Sequence, residues 1–152
     1  MPNQNDNQTI VLASGVFDLL HLGHVKFLEG AKKAGGKNAK LFVIIARDNT
    51  VEGAKGRKPI MSENQRLALV ESLRVVDDAA LGLEDFDIGN VIETIKPDVV
   101  ALGYDQLDME DLVKKYVAKN NLKTKIVRVG KFEADELDSS SKIRKKIVEK
   151  YT

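Results

Sequence analysis

Residues 15–24 of this chain read Gly-Val-Phe-Asp-Leu-Leu-His-Leu-Gly-His, and their position between two regular segments decides the fold. The preceding residues, 9–13, are apolar and rich in β-branched side chains, which favours a buried strand. The following residues, 25–34, place apolar side chains at helical spacing. The stretch therefore predicts a strand-to-helix junction, where backbone N–H groups and the positive end of a helix favour an anion, most often a phosphate.

Two histidines, His21 and His24, lie at this junction with i, i+3 spacing, and three interpretations of the pair are open. They could be a structural pair at a helix start, ligands of a metal ion, or donors to the charge of a transferring phosphate. A metal site is disfavoured because the chain has no cysteine and no other histidine to complete a coordination sphere.

The composition is that of an ordinary soluble globular protein. The 152 residues are 43% hydrophobic and 31% charged, which predicts one domain with a real core. A net charge of +1 gives no reason to expect nucleic acid or an anionic membrane as a partner. Residues 1–8 are polar and predict a frayed tail before a domain over 9–152. The absence of cysteine fits a cytoplasmic enzyme.

Strand and helix patterns alternate along the rest of the chain. This alternation predicts an α/β fold with a parallel sheet and helices on both faces, whose ligand crevice lies beyond the carboxyl ends of the strands. Residues 48–59 are polar and punctuated by glycine, which predicts a loop. In the last helix, Ile143, Ile147 and Val148 are expected to face inward. The further predicted strands are 41–46, 78–81, 98–102 and 125–129. The further predicted helices are one that begins at Ser62, one over 88–95, one that includes 112–116, and one over 139–150.

Residues 15–24 resemble the signature of the HxGH nucleotidyltransferase superfamily, in the form found in its cytidylyltransferase-like branch. The resemblance extends over nearly the whole chain from Ile10 onward. It implies a Rossmann-like single domain with a five-stranded parallel sheet, a homodimer, and Mg²⁺ that is bound mainly through substrate phosphates. It assigns catalysis to His21 and His24, and nucleotide binding to these two residues together with Gly15, Val16, Phe17, Asp18 and Gly23.

A basic loop, Lys55-Gly56-Arg57-Lys58, follows the second predicted strand. Such a run of charge is often only a solvated surface. Members of the family carry lysines in this loop that reach the transferring phosphates, and Lys55 and Arg57 are the best matches. The resemblance therefore adds Lys55 and Arg57 to the catalytic residues.

The start of the last helix, residues 139–144, reads Ser-Ser-Ser-Lys-Ile-Arg. The serines could simply cap the helix. Hydroxyls, backbone N–H groups and an arginine one turn on also suit a polyphosphate. The segment resembles the superfamily's Ile-Ser-Ser-Ser/Thr-x-x-Arg motif but departs from it at Asp138, where an apolar residue is usual. The resemblance assigns nucleotide binding to Ser139, Ser140, Ser141 and Arg144, and catalysis to Arg144.

Gly103-Tyr104-Asp105-Gln106 follows another predicted buried strand. A plain loop is one interpretation. In the other, Gly103 lets a ligand approach the backbone, and Asp105 accepts hydrogen bonds from ribose hydroxyls. Glycerol-phosphate cytidylyltransferases have Gly-x-Asp-Trp here, whereas this chain has no tryptophan. The segment is more similar to that of archaeal FAD synthases, and all four residues are predicted to bind nucleotide.

Two further positions match the family pattern. Family members carry an arginine in the helix that holds Arg66, and an Arg-Tyr-Val-Asp segment that residues 74–77 match with valine in place of tyrosine. The alternative for these positions is a helix-end arginine that pairs with an acid.

The resemblance implies transfer of AMP from ATP to FMN, which gives FAD and pyrophosphate. One alternative is a CTP-dependent cytidylyltransferase that acts on glycerol 3-phosphate or a similar phosphorylated alcohol. Another is a nucleotide-binding module without catalytic activity. Product formation distinguishes the first two, and nucleotide binding without release of pyrophosphate would indicate the third.

Overall fold

The computed structural model describes residues 7–85, 87–132 and 137–152, in which five strands alternate with six helices. Residues 1–6 of the predicted polar tail lie outside the described part. The strands are β1 (Thr9–Gly15), β2 (Ala39–Ile45), β3 (Asp78–Leu81), β4 (Val99–Gly103) and β5 (Lys125–Val129). The helices are α1 (Leu22–Ala34), α2 (Asp48–Lys55), α3 (Glu63–Glu71), α4 (Ile88–Ile95), α5 (Leu107–Lys119) and α6 (Ser140–Tyr151).

The strands form one parallel sheet in the order β3-β2-β1-β4-β5, which confirms the predicted fold. The chain builds outward from β1 to β3, then crosses back to add β4 and β5 on the other side. β1 pairs with β2 along its whole length, from Thr9 to Gly15, but with β4 only at Val11 and Leu12. A crevice can therefore open between the carboxyl ends of β1 and β4, where the strand order reverses.

The core has two layers, one on each face of the sheet. Val11 and Ala13 of β1 pack on the side of Leu28 in α1 and Val70 in α3. The intervening Ile10 and Leu12 pack on the side of α4 and α5. Because both faces are buried, the central strands read as continuous apolar runs rather than as alternating patterns.

Helix α2 occupies most of the segment that the sequence predicts to be a loop, residues 48–59, so that prediction is wrong for residues 48–55. Its only buried residue is Val51, so the sequence shows no apolar periodicity. The helix ends where Gly56 adopts a left-handed φ of 74°.

Helix α6 has no buried residue, so the prediction that Ile147 and Val148 face inward is wrong. Their side chains are 51% and 58% exposed, and Ile143 is half-buried. Because α1 and α5 already cover the two faces of the edge strand β5, α6 has no free face of that strand to bury. Within the described ranges no helix has the length and apolar character needed to cross a membrane.

Candidate active site

A cavity of about 470 Å³ opens at the carboxyl ends of β1, β4 and β5. Its wall comes from the loop after β1, the start of α1, the end of α2, the loop after β4 and the start of α6. All predicted site residues line it except Arg57. They are Gly15, Val16, Phe17, Asp18, His21, Gly23, His24, Lys55, Gly103, Tyr104, Asp105, Gln106, Ser139, Ser140, Ser141 and Arg144.

The basic loop divides at Gly56. Lys55, the last residue of α2, lines the cavity. Lys58 lies 3.9 Å from a carboxylate oxygen of Glu52 on the helix surface. Arg57 is exposed and does not line the cavity, so its catalytic role stays a prediction.

The histidines form a reciprocal cap at the start of α1. Nδ1 of His21 accepts a hydrogen bond from the Gly23 N–H at 3.0 Å. Nδ1 of His24 accepts one from the His21 N–H at 3.1 Å. A neutral imidazole whose Nδ1 accepts carries its proton on Nε2, which assigns the tautomer of both rings. The pair is therefore structural and also keeps one Nε2–H donor on each ring that lines the cavity.

Both imidazoles are neutral at neutral pH. Burial, and to a lesser extent the neighbouring His21, lowers the pKa of His24 to about 4, against the opposing pull of the Asp18 carboxylate. Burial also lowers the pKa of His21, against the opposing charge of Asp138. The two rings can thus act as neutral hydrogen-bond donors rather than as cations.

The glycine between the histidines is required by packing. A Cβ at Gly23 would lie 2.7 Å from the Cε1 atom of the His21 ring, so any other residue here would force that ring to move. The loop before the histidines is strained, because Phe17 and Leu19 have left-handed φ values of 56° and 49°. Each such residue costs on the order of 1 kcal/mol, so the surrounding contacts must hold the loop in place.

The serines at the start of α6 have three different partners. Oγ of Ser139 accepts from the Lys142 N–H at 3.2 Å, as a helix cap does. The Ser140 hydroxyl donates to the backbone carbonyl of Asp18. Oγ of Ser141 accepts from the Arg144 guanidinium at 3.1 Å. Both the capping interpretation and a phosphate-facing arrangement of these groups are compatible with this geometry.

Asp138, where the motif departs from the family pattern, lines the cavity as well. Its carboxylate accepts from Lys142 Nζ at 2.7 Å, and this hydrogen bond holds the pKa of the carboxyl below its usual range. A carboxylate at this position is thus paired with a cation.

Both polar atoms of the Gln106 side-chain amide form hydrogen bonds with backbone groups. Its Oε1 accepts from the Gly103 N–H at 2.8 Å, and its Nε2 donates to the Ser14 carbonyl at 3.1 Å. The side chain therefore bridges β1 and β4 where the two strands diverge. Tyr104 and Asp105 are exposed at the cavity, and Lys131 Nζ lies 5.5 Å from the centre of the Tyr104 ring.

Comparison with known proteins identifies the family of this chain. The model of a family described as cytidylyltransferase-like matches residues 12–146. This chain belongs to the cytidylyltransferase-like family.

Among the relatives, the FAD synthase of Methanobrevibacter smithii is 50% identical over 137 residues, which cover 90% of this chain and 89% of the relative. The FAD synthase of Thermoplasma volcanium is 47% identical over 139 residues, which cover 91% of this chain and 94% of the relative. The predicted resemblance to archaeal FAD synthases is thereby confirmed.

Two solved structures show the same fold. The lipopolysaccharide core biosynthesis protein from Thermoplasma volcanium matches with a TM-score of 0.73 and 44% identity over 82% of this chain and 98% of its own. The pantoate-beta-alanine ligase from Francisella tularensis has a TM-score of 0.60 over 88% of this chain and 63% of its own. At 17% identity, this second likeness concerns the fold alone.

Arg66 lies deep in this cytidylyltransferase-like domain and not in the cavity wall. It is 0% exposed, and its guanidinium lies 2.7 Å from an Asp48 oxygen, as the ion-pair interpretation predicts. Residues 74–77 precede β3 and so lie at the amino end of the sheet. There Asp77 accepts from the Leu41 N–H at 2.8 Å.

Sequence reasoning missed the segment after β5. Residues 129–132 line the cavity, and they include the aromatic ring of Phe132 and the cation of Lys131. The signal was available, because this segment follows the carboxyl end of a predicted strand and contains Gly130. The other cavity residues not predicted are Ser14, Phe27, Val51, Pro59 and Asp138.

The described residues include no group of three or more histidine, aspartate or glutamate side chains that could hold a metal ion. The carboxylates nearest the histidines are already engaged, since Asp18 accepts from two backbone amides and Asp138 from Lys142. Around the histidines, the cavity wall therefore offers hydrogen-bond donors and cations, which suit an anionic part of a substrate.

Proposed function

We propose that this cytidylyltransferase-like protein is an FAD synthase, an FMN adenylyltransferase that transfers AMP from ATP to FMN and releases pyrophosphate. The observation that carries this proposal is the set of FAD synthases that are 44% to 50% identical to the chain over about 90% of its length. The cavity supports it, because its wall combines the ring donors of His21 and His24 with the cations of Lys55 and Arg144.

Catalysis in this site is positioning and electrostatic stabilisation. An oxygen of the FMN phosphate attacks the α-phosphorus of ATP, the new P–O bond forms, and the bond to the leaving pyrophosphate breaks. The phosphate of FMN is already an anion at neutral pH, so no side chain has to act as nucleophile. The Nε2–H groups of His21 and His24 donate to phosphoryl oxygens as their charge grows.

The remaining groups hold the phosphate chain. The positive end of α1 faces the α-phosphate, while Lys55, Arg144 and the serines 139–141 bind the other phosphates. Arg57 reaches the substrate from its exposed position once the phosphates are bound. In this proposal Mg²⁺ enters with ATP as part of the substrate and neutralises phosphate charge.

The family resemblance also favours a homodimer, and the lack of cysteine favours a reducing, cytoplasmic compartment. Light scattering coupled to size-exclusion chromatography tests the dimer. A mass of about twice 16.8 kDa is expected, and a mass of one chain would exclude it under those conditions.

The activity is tested with purified protein in two reactions that contain Mg²⁺. One holds ATP and FMN, and the other holds CTP and glycerol 3-phosphate. Chromatography of the products and assay of pyrophosphate should show FAD in the first reaction only. A CDP-alcohol in the second would replace FAD synthesis with the cytidylyltransferase alternative, and nucleotide binding without pyrophosphate release would favour a catalytically silent module.

A further inference from the structure

Asp18 is a buried carboxylate in the loop that carries the histidines. It is 7% exposed, and both of its oxygens are engaged by consecutive backbone amides. Oδ2 accepts from the Ile60 N–H at 2.8 Å, and Oδ1 accepts from the Met61 N–H at 2.9 Å. These amides lie between α2 and α3, so one side chain joins the histidine loop to the segment that follows the basic loop.

The backbone of Asp18 makes a second connection. Its carbonyl accepts a hydrogen bond from the Ser140 hydroxyl in the first turn of α6. Asp18 thus links the histidine loop to the segment after Pro59 and to the start of α6, which lie 42 and 122 residues away in sequence.

Arg66 completes a ring of hydrogen bonds that includes Asp18, Met61 and Val16. Its Nε donates to the Met61 carbonyl at 3.0 Å, so the Met61 residue is held by Asp18 through its N–H and by Arg66 through its C=O. Nη1 of Arg66 donates to the Val16 carbonyl at 2.7 Å, two residues before Asp18. Nη2 pairs with Asp48, the first residue of the helix that ends at Lys55.

These hydrogen bonds surround a loop whose backbone conformation is unfavourable by itself. Phe17 and Leu19, on either side of Asp18, both adopt left-handed φ values that disfavour residues with side chains. The position of the His21 and His24 rings depends on this loop, and stabilisation of developing charge depends on donors that are fixed in advance.

We propose that Asp18 is a positioning residue, which fixes the histidine loop relative to Lys55 on α2 and to the start of α6. A negative carboxylate whose two oxygens are both engaged is poorly suited to bind a phosphate. Its effect on the reaction is therefore exerted through the groups it holds. This inference rests on the proposed nucleotidyl transfer.

The first test compares Asp18→Asn with Asp98→Asn. Asparagine has the size of aspartate, but its NH₂ group would face a backbone N–H of Ile60 or Met61. Asp98 is the matched control, since it accepts from the Ile10 N–H at 2.8 Å at the other end of β1. We expect Asp18→Asn to lower kcat about 10- to 100-fold, with the KM values for ATP and FMN within about 3-fold. Asp98→Asn should leave kcat unchanged.

Two kinetic results would overturn the inference. In one, Asp18→Asn raises the KM for ATP and leaves kcat unchanged, as expected of a direct ligand. In the other, Asp18→Asn has the same kcat as Asp98→Asn. Wild-type protein in the same assay tests the proposed function separately, because a lack of FAD there concerns the reaction and not the role of Asp18.

A second measurement needs no substrate and begins with the wild-type protein. Amide hydrogen exchange of the wild-type protein should show protection at Ile60 and Met61, although the Ile60 side chain is 67% exposed. Exchange of these amides at the rate of an open loop would overturn the inference. Where Asp18→Asn folds, it should raise their exchange about 10-fold or more.

The third test is a double-mutant cycle of Asp18→Asn with Lys55→Ala. If Asp18 places Lys55, then loss of the lysine should reduce kcat less in the Asp18→Asn background than in the wild type. Effects that multiply as independent changes would contradict a connection between the histidine loop and α2.

Discussion

The two ends of the sheet use the same chemical device for different purposes. At the amino end, Asp98 accepts from the Ile10 N–H and Asp77 from the Leu41 N–H, each at 2.8 Å. At the carboxyl end, Asp18 accepts from two amides of a loop. In all three cases an aspartate satisfies backbone donors that no neighbouring strand reaches.

The difference lies in what each aspartate holds. Asp98 and Asp77 hold residues near the starts of β1 and β2, whose conformation is already favoured by the sheet. Asp18 holds a loop with strained φ values, and that loop carries the donors of the cavity. Contacts at the amino end therefore contribute to stability alone, whereas contacts at the carboxyl end also place groups for chemistry.

Arg66→Met should give the largest loss of stability. It removes a buried guanidinium and leaves Asp48 and the carbonyls of Val16, Ala46 and Met61 without their partner. We expect the free energy of unfolding to fall by about 3–5 kcal/mol. Chemical denaturation followed by circular dichroism measures this loss.

The matched control for Arg66→Met is Lys32→Met at the amino end of the sheet. Lys32 pairs with Asp77 at 2.9 Å, but both side chains are partly exposed. Its loss should cost about 1 kcal/mol or less. Equal losses for the two variants would remove the contrast between the two ends.

His21→Asn and His24→Gln should each lower the rate of FAD formation on the order of 100-fold or more. Asparagine is a good helix cap, and glutamine at the third helical position can reach back to the cap amide, so both variants keep the start of α1. What they lose is the Nε2–H donor. Near-normal turnover in either folded variant would show that its histidine only caps the helix.

The sequence predicts the sheet and the position of the two histidines at the start of a helix, for identifiable physical reasons. The strands are apolar runs because both faces are buried, and the histidine motif is local, so its position follows from the strand before it. Helix α2 was missed because only Val51 is buried. The ring around Arg66 could not be predicted, since its bonds join backbone carbonyls, such as that of Val16, to a side chain 50 residues away. Every residue has a backbone carbonyl, so a sequence does not show which of them will accept a hydrogen bond from Arg66.

The stability of the carboxyl end should depend on pH through His24. Its pKa of about 4 in the folded protein lies below the ordinary value of 6.5, so the unfolded chain binds a proton more readily. The contribution of neutral His24 to the free energy of unfolding is therefore fully present above pH 6.5. It is lost as the pH decreases toward 4, which lowers the free energy of unfolding by up to about 3 kcal/mol. Unfolding free energies measured from pH 8 to pH 4 test this.

His24→Gln is the control for this pH dependence, because it keeps the cap and cannot titrate. Its stability should fall less between pH 6.5 and 4 than that of the wild type. Parallel curves for the two proteins would show that His24 is not the group responsible.

A small effect is expected at the amino end, for Asp98→Ala. The variant leaves the Ile10 N–H without its acceptor, which should lower the free energy of unfolding by about 1–2 kcal/mol. Because β1 is held along its whole length by β2, its carboxyl end should keep its position, and kcat for FAD formation should be unchanged. Denaturation and steady-state kinetics on one preparation measure both quantities, with Asp18→Asn as the comparison. A fall in kcat with Asp98→Ala would mean that disturbance at one end of β1 reaches the histidine loop, and that the two ends are not independent.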